Sequence, residues 1–185
     1  MHAKVLETLS YLQDGRRDRR EKAVRPSWET IETAIRRLDR RTHPILILWP
    51  TEDEACHEYD QFCERFEVSG GDGVYWLAGT HGGYLQRRFQ DPAGGDRDVE
   101  IYGPLIEQGF GDRERHICRD VELVVRAARY YAERGGFDPS VPWEVGRRAY
   151  LCQRCGAPTL AREDDPQREV CYRCLTPVER KAKFG

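Results

Sequence analysis

Apolar positions at helical spacing predict two amphipathic helices in this chain. The first follows Ser27, whose hydroxyl suits an N-cap, and the second follows Asp120 and ends at the glycine pair 135–136. The first helix has its apolar face at Trp28, Ile31, Ile35 and Leu38. The second has its apolar face at Val121, Val124, Val125, Ala128 and Tyr131.

Between the two helices, the pattern indicates strands. Ile45–Trp49 is a continuous apolar run before Pro50, which is typical of a central strand buried on both faces. Alternating residues on either side of the glycine-rich segment 69–73 predict a hairpin of 65–68 with 74–78. The remaining predicted segments are a short acidic helix within 52–62, strands at 84–90 and 99–105, and an irregular closing segment at 137–144 whose Trp143 packs on the core.

The N-terminal 25 residues are predicted to lie outside the core. Ala3–Gln13 is predicted to be a short helix with Val5, Leu6, Leu9 and Leu12 on one side. The charged run 14–25 is predicted to be a solvated linker, with a basic arm for nucleic acid as the alternative. A helix of this length is marginal alone, so we expect residues 1–25 to be dispensable for folding.

The fold class that follows is α+β: a mainly antiparallel sheet with helices packed on one face, plus a small C-terminal zinc ribbon. The predicted division is an N-terminal helix and linker at 1–25, an α+β domain at 26–145, and the ribbon at 146–185.

Four cysteines predict the ribbon. Cys152 and Cys155 form one C-x-x-C pair, and Cys171 and Cys174 form a second pair fifteen residues later. Two such pairs can aim four thiolates at one structural Zn²⁺ ion, and the segment has too few large apolar residues to fold on its own core. Two disulfides are the alternative, but they require an oxidising compartment.

Residues within the two pairs suit such a centre. Gly156 directly follows Cys155, where a knuckle turn often needs a residue that tolerates positive φ. Arg154 and Arg173 lie inside the pairs and are expected to offset part of the thiolate charge.

Charge and composition narrow the functional classes. The 185 residues are 34% charged, and neither an eighteen-residue apolar stretch nor a signal-peptide run is present, so we expect a cytoplasmic protein with no membrane partner. The net charge of −2 hides a net −9 over residues 43–111, which argues against nucleic-acid binding by the main domain.

A catalytic site is not indicated. Asp53, Glu54 and His57 would suit a hydrolytic metal site, but a solvated surface explains them better, and no zinc-protease motif or nucleophile elbow is present. The histidines at 43, 57, 81 and 116 are scattered, and both glycine-rich segments are interpreted as turns. The single cysteines are interpreted as small buried hydrophobes: Cys56, Cys63 and Cys118.

Three stretches, 26–39, 66–75 and 120–144, together resemble the first-numbered immunity-protein family of bacterial polymorphic toxin systems. The likeness covers about 120 residues. It implies a cytoplasmic antidote that binds a toxin domain, often a nuclease or deaminase, and blocks it. The segment before Arg25 and the ribbon after Trp143 depart from the family pattern and suggest reuse of the domain in a larger assembly.

The leading hypothesis is therefore a non-catalytic toxin-neutralising protein with a protein partner. Its partner-binding face is expected in the acidic segment, where carboxylates can enter the basic cleft of an enzyme that acts on nucleic acid. The candidate residues are Glu52, Asp53, Glu54, Glu58, Asp60 and Asp72. A zinc-ribbon protein associated with nucleic acid or with complex assembly is the alternative, and an enzyme is a third; the oligomeric state is left open.

Overall fold

The computed structural model describes residues 1–53, 64–81, 85–103, 106, 109–145, 148–156, 158–161, 170–171 and 174–184. The helices are α1 (Trp28–Arg36), α2 (Val121–Arg134) and α3 (Pro177–Phe184). The first six strands are β1 (Val5–Tyr11), β2 (Arg17–Val24), β3 (Ile45–Trp49), β4 (Arg65–Gly71), β5 (Val74–His81) and β6 (Leu85–Phe89). The others are β7 (Asp98–Tyr102), β8 (Phe110–Arg113), β9 (Ile117–Cys118), β10 (Trp143–Val145), β11 (Arg148–Leu151) and β12 (Pro158–Ala161).

Eight of the described strands form one antiparallel sheet, so the predicted α+β fold is confirmed. The order is β10-β6-β5-β4-β3-β1-β2, and β9 pairs with β5 outside this path. β3 lies between β1 and β4, and its five residues are all buried, as its unbroken apolar sequence predicts. β7–β8 and β11–β12 are separate two-stranded sheets.

The sheet buries a different core on each face. α1 and α2 pack on one face around Ile35, Phe66 and Tyr131, and Trp143 packs against this core as predicted. On the other face, Ile47 and Trp49 pack with Ile101 and Tyr102 of β7. Both faces are therefore covered, one by helices and the other in part by the β7–β8 hairpin.

The two predicted helices begin where their caps require. The Ser27 side chain accepts a hydrogen bond from the Thr30 N–H, and the Asp120 side chain accepts one from the Glu122 N–H. At the far end of α2, Gly135 lies at φ 74°, which suits a residue without a Cβ.

The prediction of an N-terminal helix and linker is wrong. β1 pairs with β3 on one side and with β2 on the other, so residues 1–25 belong to the main sheet. Because β1 is covered on both faces, its apolar residues do not alternate with polar ones, and their spacing also fits a helix. Glu7 also hides the strand pattern, because a charged residue is not expected on a buried face. It is fully buried, and Arg20 of β2 compensates its charge by donating to the carboxylate at 2.7 and 3.0 Å.

Glycine in the predicted β4–β5 hairpin has a packing role. Gly71 lies at φ 140°, and a Cβ there would collide with the backbone of Leu38 and Asp39, which follow α1. Asp39 forms an antiparallel β-bridge with Gly71, so the absence of a Cβ at Gly71 lets the backbone after α1 come close to β4.

Other predicted segments are corrected or fall outside the described residues. The closing segment is not wholly irregular, because Trp143–Val145 forms β10 against β6. The predicted acidic helix lies mostly outside the described residues. Within the part of the chain that is described, no helix combines the length and apolar character needed to cross a membrane.

Candidate metal centres

The four cysteines of the predicted ribbon meet at one point. Cys152 and Cys155 lie in the loop between β11 and β12, and Cys171 and Cys174 lie in the turn before α3. Within each pair a backbone hydrogen bond tightens the turn, from the Gly156 N–H to the Cys152 carbonyl (2.7 Å) and from the Cys174 N–H to the Cys171 carbonyl (2.9 Å). The φ of Gly156 is 70°, as expected for a residue closing a knuckle.

The spacing of the sulfur atoms suits a tetrahedral metal centre. All four Sγ atoms lie within 4.8 Å of one another, and Cys155 and Cys171 are 3.6 Å apart. A tetrahedron with metal–sulfur bonds of ~2.3 Å has edges of about 3.8 Å, whereas a disulfide bond is about 2.05 Å long. All four cysteines are free, so the arrangement matches four separate ligands and not two disulfides.

The thiols of this cluster influence each other's ionisation. The backbone N–H of Cys171 donates to the Cys152 sulfur at 3.3 Å, and this bond, with others from the same loop, lowers the pKa of Cys152 to about 6. Contacts with the Cys155 and Cys171 thiols raise the pKa of Cys174 to about 12. The Cys152 thiolate is therefore favoured and the Cys174 thiolate opposed, and a bound cation would favour ionisation of both.

Glu179 raises the pKa of Arg154 most, and the charges of Cys174 and Cys152 add to it, as expected for a residue that offsets thiolate charge. Arg154 also donates to the Cys174 carbonyl at 2.6 Å and to the Glu179 carboxylate at 2.5 Å, so it links the two cysteine pairs. Glu179 also accepts from the Thr176 N–H at 2.6 Å, and the Thr176 hydroxyl accepts from the Glu179 N–H at 3.3 Å. This capping box at the start of α3 was readable in the sequence Thr-Pro-Val-Glu. Arg173 lies outside the described residues.

A second group of ligand-type side chains was not predicted. The ligand atoms of His2, Glu64 and His81 lie within 4.8 Å of one another. Glu64 Oε1 is 2.9 Å from His2 Nε2 and 2.6 Å from His81 Nδ1, so one oxygen contacts both rings. The three side chains are 28%, 27% and 40% exposed. No local motif links these residues, because His2 lies 62 residues before Glu64 and His81 lies 17 residues after it.

Sheet topology brings these three residues together. Glu64 directly precedes β4, and His81 ends β5, its antiparallel neighbour. His2 precedes β1, which begins opposite the end of β3, at the same end of the sheet. The His2 N–H donates to the Ala132 carbonyl near the end of α2 at 2.7 Å, which fixes the N-terminal segment there.

Buried His116 belongs to a structural network. It is 1% exposed, with Nδ1 2.8 Å from Asp112 and Nε2 3.1 Å from Glu144. Burial favours protonation of Asp112, but hydrogen bonds from His116 and Trp76 outweigh it and lower its pKa. Arg88 lowers the pKa of Glu144 through a 2.5 Å hydrogen bond. Both nitrogens of His116 are occupied, so the network joins strands and offers no open ligand position.

The acidic candidates do not form one patch in the described residues. Glu52 and Asp53 are exposed just past the end of β3, and Glu52 pairs with Arg25 at 2.9 Å. Asp72 is exposed at the β4–β5 turn, which the register places beyond the opposite end of β3. Glu54, Glu58 and Asp60 lie outside the described residues.

The remaining candidates are single residues or lie outside the described part of the chain. Cys118 is buried, as predicted, and burial raises the pKa of its thiol to about 11. His43 lies 2.8 Å from the Thr42 hydroxyl and 3.7 Å from Asp39. Of the proposed hydrolytic site, only Asp53 is described; Glu54 and His57 are not, and neither are Cys56 and Cys63.

No protein-family model, curated protein or solved structure matches this chain.

Proposed function

We propose that this chain is a non-catalytic cytoplasmic protein that binds and blocks a toxin or effector domain, of the nuclease or deaminase class. The observation that carries the proposal is the packing of the three stretches that resemble the immunity-protein family. They form α1, the β4–β5 hairpin, and α2 with β10, and all of them contribute to the helix-side core. Segments that are far apart in sequence but share one core are what a common domain requires.

The departures from the family pattern have different relations to that core. Residues 1–25 are not an added arm, because β1 lies between β2 and β3 in the sheet. The ribbon has its own two-stranded sheet, β11–β12, and its own cysteine cluster. A separate module of this kind could bind a second protein while the main domain binds the toxin, so we expect the antidote to work within a larger assembly.

We also propose that the ion held by the four cysteines is Zn²⁺. Four thiolates at tetrahedral spacing form the ligand set typical of structural zinc, and the closed set leaves no position for a substrate. The ion would fix the two cysteine turns relative to each other, with Arg154 adding a second link. Elemental analysis of reduced, purified protein should give zinc, and substitution of Cys171 by serine should remove it.

The proposed partner face is the surface that begins at Glu52 and Asp53. Both residues are exposed, and they continue into the acidic segment that holds Glu54 and Glu58. Carboxylates on this surface can compete with phosphate for a basic cleft, and their charge attracts that cleft over about a Debye length. Asp72 serves as a control, because it lies beyond the start of β3, whereas Glu52 and Asp53 follow the end of that strand. The length of β3 alone is ~16 Å.

The test starts with a pull-down from the native host, which should recover a toxin or effector domain bound to this chain. Co-expression should rescue growth of cells that produce the toxin, and the purified proteins should bind. Reversing Glu52, Asp53, Glu54 and Glu58 to lysine should slow association at low salt, and Asp72→Lys should not. Failure to bind or rescue would overturn the function, whereas equal effects of both reversals would overturn only the choice of face.

Nucleic-acid binding is the second candidate, and one observation favours it. β2 is an edge strand whose exposed side chains include Arg17, Arg19 and Lys22. A nucleic-acid role predicts affinity that falls steeply with salt and is lost when these three residues become glutamine. If nucleic-acid binding is weak and does not change in that variant, the nucleic-acid role is excluded and the inhibitor proposal stands.

A further inference from the structure

The cluster of His2, Glu64 and His81 combines the ligand types of an open transition-metal site. Two imidazoles and one carboxylate form a common three-residue ligand set for zinc and non-haem iron, with further positions left for water or substrate. One oxygen of Glu64 already contacts a nitrogen of each ring, at 2.9 and 2.6 Å. Intermediate exposure of all three side chains gives an ion a route from solvent.

A pair of glycines packs closely against the imidazole rings of His2 and His81. A Cβ at Gly135 would lie 2.9 Å from the His2 ring, and a Cβ at Gly136 would lie 3.0 Å from the His81 ring. Both glycines lie at positive φ, 74° and 75°, directly after α2. Any other residue at these positions would push the rings away, so the chain after α2 fixes both imidazoles next to Glu64.

Two groups at this end of the sheet carry negative charge. The end of α2 carries the partial negative charge of the helix, and Glu64 adds a formal one. The fully buried Tyr131 ring meets the His2 ring edge-on at 5.3 Å. Its hydroxyl has no hydrogen-bond partner among the described residues.

We infer that His2, Glu64 and His81 form a second metal site, independent of the four cysteines, that binds a divalent transition-metal ion such as Zn²⁺. Ligand atoms around zinc at ~2.05 Å lie about 3.3 Å apart, so an ion entering here replaces the two hydrogen bonds of 2.9 and 2.6 Å and lengthens each contact by less than ~1 Å. The ion ties the N-terminal segment to the ends of β4 and β5. Its exposed side retains open positions.

The test counts metal ions and identifies their ligands with Co²⁺ as the probe. Metal-free, reduced protein should bind two Co²⁺ ions per chain, of which only one gives thiolate-to-cobalt charge-transfer absorption. His81→Gln and Glu64→Gln should bind one ion, with that absorption unchanged and affinity at the second site at least ~100-fold weaker, since loss of an outer-shell partner alone costs 10–100-fold. His43→Gln is the matched control, because His43 is half-buried beside Asp39 and should leave two ions.

A second measurement avoids dependence on variant folding. In the wild-type protein, Co²⁺ beyond the first equivalent should shift or broaden the imidazole NMR signals of His2 and His81 and leave that of His43 unchanged. One ion per chain, or a second ion that survives both ligand substitutions, or unaffected His2 and His81 signals would each overturn the site. The absorption band reports the cysteine centre separately, and no toxin is present, so failure here is distinguishable from failure of the proposed function.

Discussion

Replacing Leu9 by alanine tests the strand assignment of the N-terminus most directly. Leu9 is 1% exposed on the face of β1 that packs against the β7 side, whereas Leu12, just after the strand, is 42% exposed. Removal of a fully buried leucine side chain costs about 2–5 kcal/mol, which combines lost burial with a residual cavity. Leu12→Ala should cost less than ~0.5 kcal/mol, because its side chain is already largely in water.

The two variants separate the strand from the helix predicted by spacing. In that helix Leu9 and Leu12 share one side, so their replacement would have equal effects. Urea unfolding followed by tryptophan fluorescence should give a much lower midpoint for Leu9→Ala, and its melting temperature should fall by about 4–20 °C at about 2–4 °C per kcal/mol. Equal and small effects of the two substitutions would refute the placement of β1 in the core.

The same placement reverses the expectation that residues 1–25 are dispensable. Their deletion removes β1 and β2 and leaves β3 without one of its two neighbours. Cooperative unfolding should therefore be lost, and a truncated chain that melts like the full one would count against the sheet order.

Two further predictions concern the ribbon and a loop carboxylate. Chelation of metal should remove hydrogen-exchange protection from residues 148–184 and leave the main sheet protected, because metal binding and folding of such a segment are coupled; uniform loss, or none, would contradict this. Asp39 accepts from the Thr42 hydroxyl and from backbone N–H groups of residues 41–43, and these bonds outweigh burial to lower its pKa to about 2. Asp39→Ala should cost ~1–2 kcal/mol at pH 7. A carboxyl with a lowered pKa stabilises above its unfolded value of 3.8, so the difference should shrink as pH falls toward 2, and urea midpoints at pH 7 and pH 3 check it.

Local chemistry let the sequence determine the two long helices, the central strand and the grouping of the four ribbon cysteines. Ser27 and Asp120 cap helices through bonds made within three residues, and the C-x-x-C spacing aims two thiols from one turn. The run Ile45–Trp49 needed only its own composition to indicate burial on both faces.

Only the tertiary structure decided the N-terminal strands and the histidine cluster. The apolar spacing in β1 fits a helix and a doubly buried strand equally, and pairing with β2 and β3 settles it. His2, Glu64 and His81 carry no local signal, because each lies at or near one end of a different strand. They meet because antiparallel pairing brings the start of β1, the start of β4 and the end of β5 to one end of the sheet.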